Sequence, residues 1–157
     1  MLILGCGNPD RADDAAGLLV AQRLRELGID AREHGGDMLG LMDEWGADDE
    51  VILVDAVVSA GKPGTITTWD ARTAALPPDC FPCSTHALGV AEAVELARAL
   101  NRLPRSLMVY GIEAGNFEPG GAPSPEVWNA VERLAQDLAA ASPKPLVTVP
   151  ADPPNTV

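Results

Sequence analysis

The run Val51-Ile52-Leu53-Val54 constrains the fold of this chain more than any other feature of its sequence. Leucine and β-branched residues without polar alternation are typical of a strand that is buried on both faces of a sheet. Two further apolar runs, residues 2–4 and 107–112, are candidates for additional buried strands. We therefore predict a sheet with residues 51–54 at its centre.

Amphipathic segments alternate with these apolar runs. Acidic residues or a Ser-Pro pair at a helix start, and a glycine after its last apolar residue, are the usual boundary signals. They predict helices from Asp13-Asp14 to Gly28, over 37–45, from His86 to about Leu100, and from Ser124-Pro125 to about Ala141. Weaker patterns predict strands over 30–33 and 64–69, the second of them at an edge of the sheet. Strands that alternate with helices indicate the α/β class.

The composition favours one acidic domain. Of the 157 residues, 46% are hydrophobic, which is enough for a real core. The 23 acidic and 11 basic residues give a formal net charge of -12, which argues against nucleic acids and anionic membranes as partners. Five prolines fall in the last sixteen residues. We predict a folded domain over 1–141 and a disordered, proline-rich tail over 142–157.

The cysteine count and the hydropathy pattern predict a reduced, cytoplasmic protein. Cys6, Cys80 and Cys83 are an odd number and too few for a disulfide framework. No apolar run approaches the roughly 20 residues of a membrane span. The opening Met-Leu-Ile-Leu-Gly is too short for a signal peptide and carries no basic leader.

Three polar residues are predicted to share the ligand crevice of the sheet. Asp14 follows the loop after the first strand, Asp55 ends the central strand, and His86 begins a helix. Loops at the carboxyl ends of parallel strands line the crevice in open α/β sheets. A helix N-terminus favours the neutral, metal-binding form of histidine. Two carboxylates and one histidine therefore predict a metal site with open positions for water or substrate.

Each of these residues also has a structural interpretation. Asp14 has the position of a helix N-cap. Asp55 could hydrogen-bond loop amides at the end of its strand, although a charge directly after four apolar residues is costly unless it is satisfied or used. His86 could cap a helix or pack at its start. The three residues together favour a functional site more than any one of them does.

The cysteines and the second histidine leave further alternatives open. Cys80-x-x-Cys83-x-x-His86 has the spacing of a metal triplet or a redox pair, but a structural zinc site needs a fourth ligand, and incidental loop cysteines are the alternative. Cys6 is interpreted as a small buried residue, with a catalytic Cys6–His86 pair as the functional alternative. His34 is interpreted as a surface or loop residue.

Four motifs stand in the order Leu2-Ile3-Leu4-Gly5-Cys6-Gly7-Asn8, Asp13-Asp14-x-x-Gly17, Val54-Asp55-Ala56 and Thr85-His86-x-Leu88-Gly89. This set resembles the nickel–iron hydrogenase maturation endopeptidases, and the resemblance runs through residues 1 to about 140. It implies a single three-layer α/β domain of the phosphorylase/hydrolase-like type, with a twisted, mostly parallel sheet between helices.

The resemblance also implies an activity. Such an enzyme removes the C-terminal extension of a nickel–iron hydrogenase large-subunit precursor after nickel insertion. Asp14, Asp55 and His86 are then the catalytic and nickel-recognising residues, and the nickel is carried by the substrate rather than held as a stable cofactor. The chain departs from the family at several places, among them the cysteines at 80 and 83, the proline-rich tail, and two acidic positions. Asp14 is one methylene shorter than the glutamate of familiar members, and Asp37 stands where a small hydroxyl residue is common.

Two other functions remain as alternatives at this point. A non-enzymatic nickel-binding or chaperone-like module would use Cys80, Cys83 and His86, and would lose its metal when either cysteine is changed. A peptidyl-tRNA hydrolase would share the opening Gly-x-Gly-Asn-Pro, but it needs a basic face for tRNA and a histidine soon after that loop. The charge of -12 and the lack of a histidine between Pro9 and His34 argue against it.

Overall fold

A computed structural model describes residues 1–82 and 87–142, and its centre is a five-stranded sheet. The strands are β1 (Leu2–Gly7), β2 (Ala31–Gly35), β3 (Glu50–Val57), β4 (Ile66–Asp70) and β5 (Ser106–Glu113). Their order across the sheet is β2-β1-β3-β5-β4. The first three neighbouring pairs are parallel, and β4 pairs antiparallel with β5 at the edge. The predicted α/β class and mostly parallel sheet are confirmed.

Helices connect the strands on both sides of the sheet. They are α1 (Ala16–Glu26), α2 (Val90–Ala99) and α3 (Pro125–Ala141), with 3-10 turns over Ala12–Ala15, Met38–Glu44 and Pro78–Cys80. Gly28 follows the end of α1 with φ of 81°, as a helix stop requires, and Ser124-Pro125 begins α3. Within residues 1–82 and 87–142, no helix combines the length and apolarity needed to cross a lipid bilayer.

Two apolar clusters make the domain three-layered. On one face, α1 and α3 pack against side chains such as Ile3, Val54 and Ile112. On the other face, the Met38–Glu44 turn and α2 pack against side chains such as Leu53. Consecutive residues of β3 enter opposite clusters because successive strand side chains point to opposite faces. The prediction of a strand buried on both faces is therefore confirmed.

Three details of the predicted elements were wrong. β3 continues to Val57, two residues beyond its predicted end at Asp55, because Asp55 and the next two residues pair with β5. α2 begins at Val90 rather than His86, because Leu88 is bonded to the segment after β2 through its amide and its carbonyl. His34 lies in β2 and is half-buried, not in a surface loop.

A close contact of α1 with β1 and β3 fixes the position of the helix at the carboxyl ends of these strands, where Asp14 and Asp55 lie. A Cβ atom on Gly17, in the first turn of α1, would overlap the carbonyl oxygens of Cys6 and Val54. Only glycine lets the helix approach both strands to this distance. The contact places the start of α1, and the turn before it, against the carboxyl end of β3.

Candidate functional site

A cavity of about 160 Å³ lies at the carboxyl ends of β1 and β3. The two strands pair as far as Gly5 and Val54, and Asp55 is the next residue of β3. Asp14 and Asp55 both line the cavity, so the structure brings together two of the three predicted site residues. The third, His86, lies outside the described residues. The catalytic roles of all three stay a prediction.

Asp55 is a buried carboxylate, with 6% of its surface exposed. Its Oδ1 accepts a 2.9 Å hydrogen bond from the backbone amide of Ala56. Burial, and then the negative charge of Asp14, raise the pKa of Asp55 well above its ordinary value, while the Ala56 bond acts in the opposite direction. A buried carboxylate in a cleft, facing a second one, is suited to binding a cation or holding a proton.

Asp14 is not the helix cap that its position suggested. It lies in the Ala12–Ala15 turn before α1, and its side chain caps neither that turn nor the helix. Burial raises the pKa of Asp14, and the positive charge of Arg11 acts in the opposite direction. The N-cap interpretation is therefore wrong, and the carboxylate lines the cavity instead.

The adjacent Asp13 has the structural role. Its Oδ2 accepts hydrogen bonds of 2.9 Å from the backbone amides of Gly115 and Asn116. Its Oδ1 accepts one of 2.6 Å from the amide of Ser124, whose hydroxyl also donates to the carboxylate. Asp13 is fully buried. It thus fastens the loop before α3 to the turn that carries Asp14.

We expect Asp13→Ala to lower the free energy of unfolding by about 3 kcal/mol, because it leaves the backbone amides of Gly115, Asn116 and Ser124 without their shared acceptor. Asp14→Ala should change it by less than about 1 kcal/mol, since Asp14 bonds none of these groups. Urea unfolding of both variants measures the difference. Equal destabilisation by the two substitutions would contradict the division of roles between these neighbours.

Asp37 also lines the cavity, and its hydrogen bonds join two of the segments that form the cavity wall. Its Oδ1 accepts hydrogen bonds from the backbone amides of Leu39, at 3.0 Å, and Leu88, at 3.2 Å. The amide of Met38 donates to the carbonyl of Leu88 at 3.2 Å. His34 lies within 3.3 Å of the Asp37 carbonyl oxygen. This network ties the turn after β2 to the segment before α2, and both segments line the cavity.

Cys6 does not have the character of a nucleophile. It is fully buried in the cluster beneath the Met38–Glu44 turn. Burial, followed by the charges of Asp55 and Glu44, raises the pKa of the Cys6 thiol well above its ordinary value. The thiol is therefore protonated at neutral pH, which agrees with its interpretation as a small buried residue.

The proposed cysteine triplet is only partly described. Cys80 ends a 3-10 turn and packs, half-buried, against the apolar cluster beneath α2. Cys83 and His86 lie outside the described residues. Within 1–82 and 87–142, no three histidine, cysteine, aspartate or glutamate side chains are grouped closely enough to hold a metal ion. Asp14 and Asp55 supply two such groups.

One cavity residue was missed by the sequence analysis. Arg11 lines the cavity beside the two carboxylates, three residues before Asp14. Its guanidinium carbon lies 5.6 Å from the centre of the Phe117 ring. The position of Arg11 in the loop after β1 was the only sequence signal for its role. The Phe117 ring that it packs against lies more than a hundred residues later in the chain.

Comparisons with known proteins give one consistent answer. The sequence profile of a family described as hydrogenase maturation protease (HycI) matches residues 24–141, a span that contains Asp55 but begins after Asp14. The chain is 28% identical over 148 residues to the hydrogenase 2 maturation protease of Escherichia coli K12, covering 90% of this chain and 89% of that protein.

Solved structures agree with the sequence comparisons. The hydrogenase maturating endopeptidase HybD from E. coli has a TM-score of 0.71 at 26% identity, covering 89% of this chain and 90% of that one. The [NiFe] hydrogenase maturation protease HycI from Thermococcus kodakarensis has a TM-score of 0.68 at 27% identity, covering 88% and 89%. The single five-stranded α/β domain matches these structures.

Proposed function

The chain belongs to the hydrogenase maturation protease family and is a peptidase, and from this premise we propose its specific reaction. It removes the C-terminal extension of a nickel–iron hydrogenase large-subunit precursor after nickel insertion. The nickel belongs to the substrate, and Asp14, Asp55 and His86 recognise it. Cleavage then waits until the precursor has been loaded.

The observation that carries this proposal is the meeting of two carboxylates in one cavity. Among the described residues, neither Asp14 nor Asp55 forms an ion pair. Burial raises the pKa of both carboxyl groups, and the negative charge of Asp14 raises the pKa of Asp55 further. A divalent cation that enters with the substrate relieves both effects. Nickel accepts carboxylate and imidazole ligands, which are the groups assigned to this site.

The cavity residues also account for the hydrolysis. The nickel-binding carboxylates bring the scissile peptide bond of the precursor to the cavity, where a water molecule attacks the carbonyl carbon. A carboxylate accepts the proton of the water, and the proton passes to the leaving amine as the C–N bond breaks. In this proposal the fold positions the attacking water relative to the nickel that the site recognises.

The decisive experiment compares a purified precursor with and without nickel. We expect the full chain to cleave only the loaded form, which mass spectrometry of the released peptide detects. Equal cleavage of both forms would overturn recognition of nickel. No cleavage of either form, with nickel retained tightly by the chain itself, would support the nickel-binding module instead.

Substitutions test the assigned residues. We expect Asp14→Asn and His86→Ala each to lower the rate of processing by about 100-fold or more, because each removes one nickel-recognising group. Cys80→Ser should leave processing within about threefold, because the proposed reaction does not use the thiol. Single-turnover assays on the loaded precursor measure all three. A Cys80→Ser variant as inactive as His86→Ala would favour the cysteine-based module.

A further inference from the structure

We propose that Arg11 is a catalytic residue that binds the oxygen of the scissile carbonyl and stabilises the negative charge that develops on it. The inference rests on the proposed function, because it assigns a group to that same peptide hydrolysis.

The reaction creates a charge that the cavity would otherwise repel. When the water oxygen bonds to the carbonyl carbon, the proton passes to a carboxylate and the π electron pair moves onto the carbonyl oxygen. That pair returns when the C–N bond breaks and the amine nitrogen takes the proton. Asp14, Asp37 and Asp55 line the cavity. A negative charge that develops on the substrate oxygen beside these carboxylates needs a cation or preorganised hydrogen-bond donors to stabilise it.

Arg11 is the group in the cavity that meets this need. Among the described lining residues it is the only one with a positive charge. Within the same part of the chain its guanidinium forms no ion pair, although its charge acts on Asp14. A guanidinium offers five N–H donors in a fixed plane. These donors are thus available to a substrate oxygen.

The guanidinium is also held in place before substrate arrives. It lies over the ring of Phe117, a contact that restrains its orientation without using its N–H groups. The segment that carries Phe117 is fixed by the bonds of Asp13 to the amides of Gly115 and Asn116, and by the bond from the Asp13 amide to the Asn116 carbonyl. Asp13 is therefore a positioning residue for Arg11 as well as a structural one.

The test is the steady-state kinetics of Arg11→Met on the nickel-loaded precursor. We expect kcat to fall by about 100- to 1000-fold with KM within about threefold, as when one oxyanion donor is removed from a hydrolase. Arg105→Met is the matched control, because Arg105 pairs with Glu50 at the amino end of β3, the end opposite the cavity. It should retain the unsubstituted rate. Added guanidinium ions should restore part of the rate of an Arg11→Ala variant.

A rival role for Arg11 is to keep Asp14 ionised. In that case the pKa of Asp14 would rise in Arg11→Met, and activity would recover at higher pH. Full recovery of Arg11→Met activity at higher pH, or a kcat for this variant within threefold of the unsubstituted protein, would overturn the assignment of Arg11. Either result would leave the proposed function intact. No cleavage by the unsubstituted protein would instead overturn the proposed function, and this assignment with it.

Discussion

Asp55→Asn should abolish processing of the nickel-loaded precursor and, at the same time, make the protein more stable at neutral pH. We expect the processing rate to fall by at least about 1000-fold, because the amide is neither an anionic ligand nor a proton acceptor. The amide keeps the size of the side chain and an oxygen that can accept the Ala56 hydrogen bond. The fold should therefore be unaffected.

The gain in stability follows from the direction of the pKa shift. Burial and Asp14 raise the pKa of Asp55 in the folded protein. Above its ordinary value of about 4, the unfolded chain loses the proton more readily than the folded protein does. Stability therefore falls as pH rises from that value through the folded pKa. Asparagine has no such dependence, so its advantage should be absent near pH 4 and present at pH 7.

Thermal unfolding at the two pH values measures this prediction. A gain of 1 kcal/mol corresponds to a rise in Tm of about 2–4 °C for a chain of this size. Asp48→Asn is the matched control, since Asp48 is exposed in the turn before β3, at the end of that strand opposite the cavity. It should change neither Tm nor processing appreciably. An Asp55→Asn variant that is active, or inactive but less stable, would show that Asp55 is structural.

The sheet, the end of α1 and the start of α3 could be predicted because their signals are local. The apolar run at residues 51–54 reports burial on both faces, and Gly28 and Ser124-Pro125 mark helix ends by their own backbone preferences. The exact end of β3 could not be predicted. It is set by pairing with β5, whose residues lie more than fifty positions later in the chain.

The candidate site shows the same limit more sharply. Sequence alone places two adjacent acids, Asp13 and Asp14, after the first strand, and nothing local says which one faces the cavity. The choice is made by amides of the loop before α3, about a hundred residues away, which bind Asp13. Arg11 was missed for a related reason, because Phe117 in that same loop holds it beside the cavity.

Gly17→Ala should be the most destabilising single substitution considered, lowering the free energy of unfolding by more than about 4 kcal/mol. The added methyl group would overlap two backbone oxygens, those of Cys6 and Val54, and neither can rotate away as a side chain could. Relief requires α1 to move off β1 and β3. That movement displaces Asp14 from Asp55, because Asp14 lies two residues before α1 and Asp55 directly follows Val54.

Gly40→Ala is the matched control for this substitution. Gly40 lies in the Met38–Glu44 turn, where an added Cβ meets nothing within 4 Å, so its unfolding free energy should change by less than about 0.5 kcal/mol. Urea unfolding compares the two variants, and nickel-dependent processing at low temperature measures the displacement of the site. A Gly17→Ala protein as stable as Gly40→Ala would show that α1 can retreat without cost. The glycine would then not be what sets the distance between the two carboxylates.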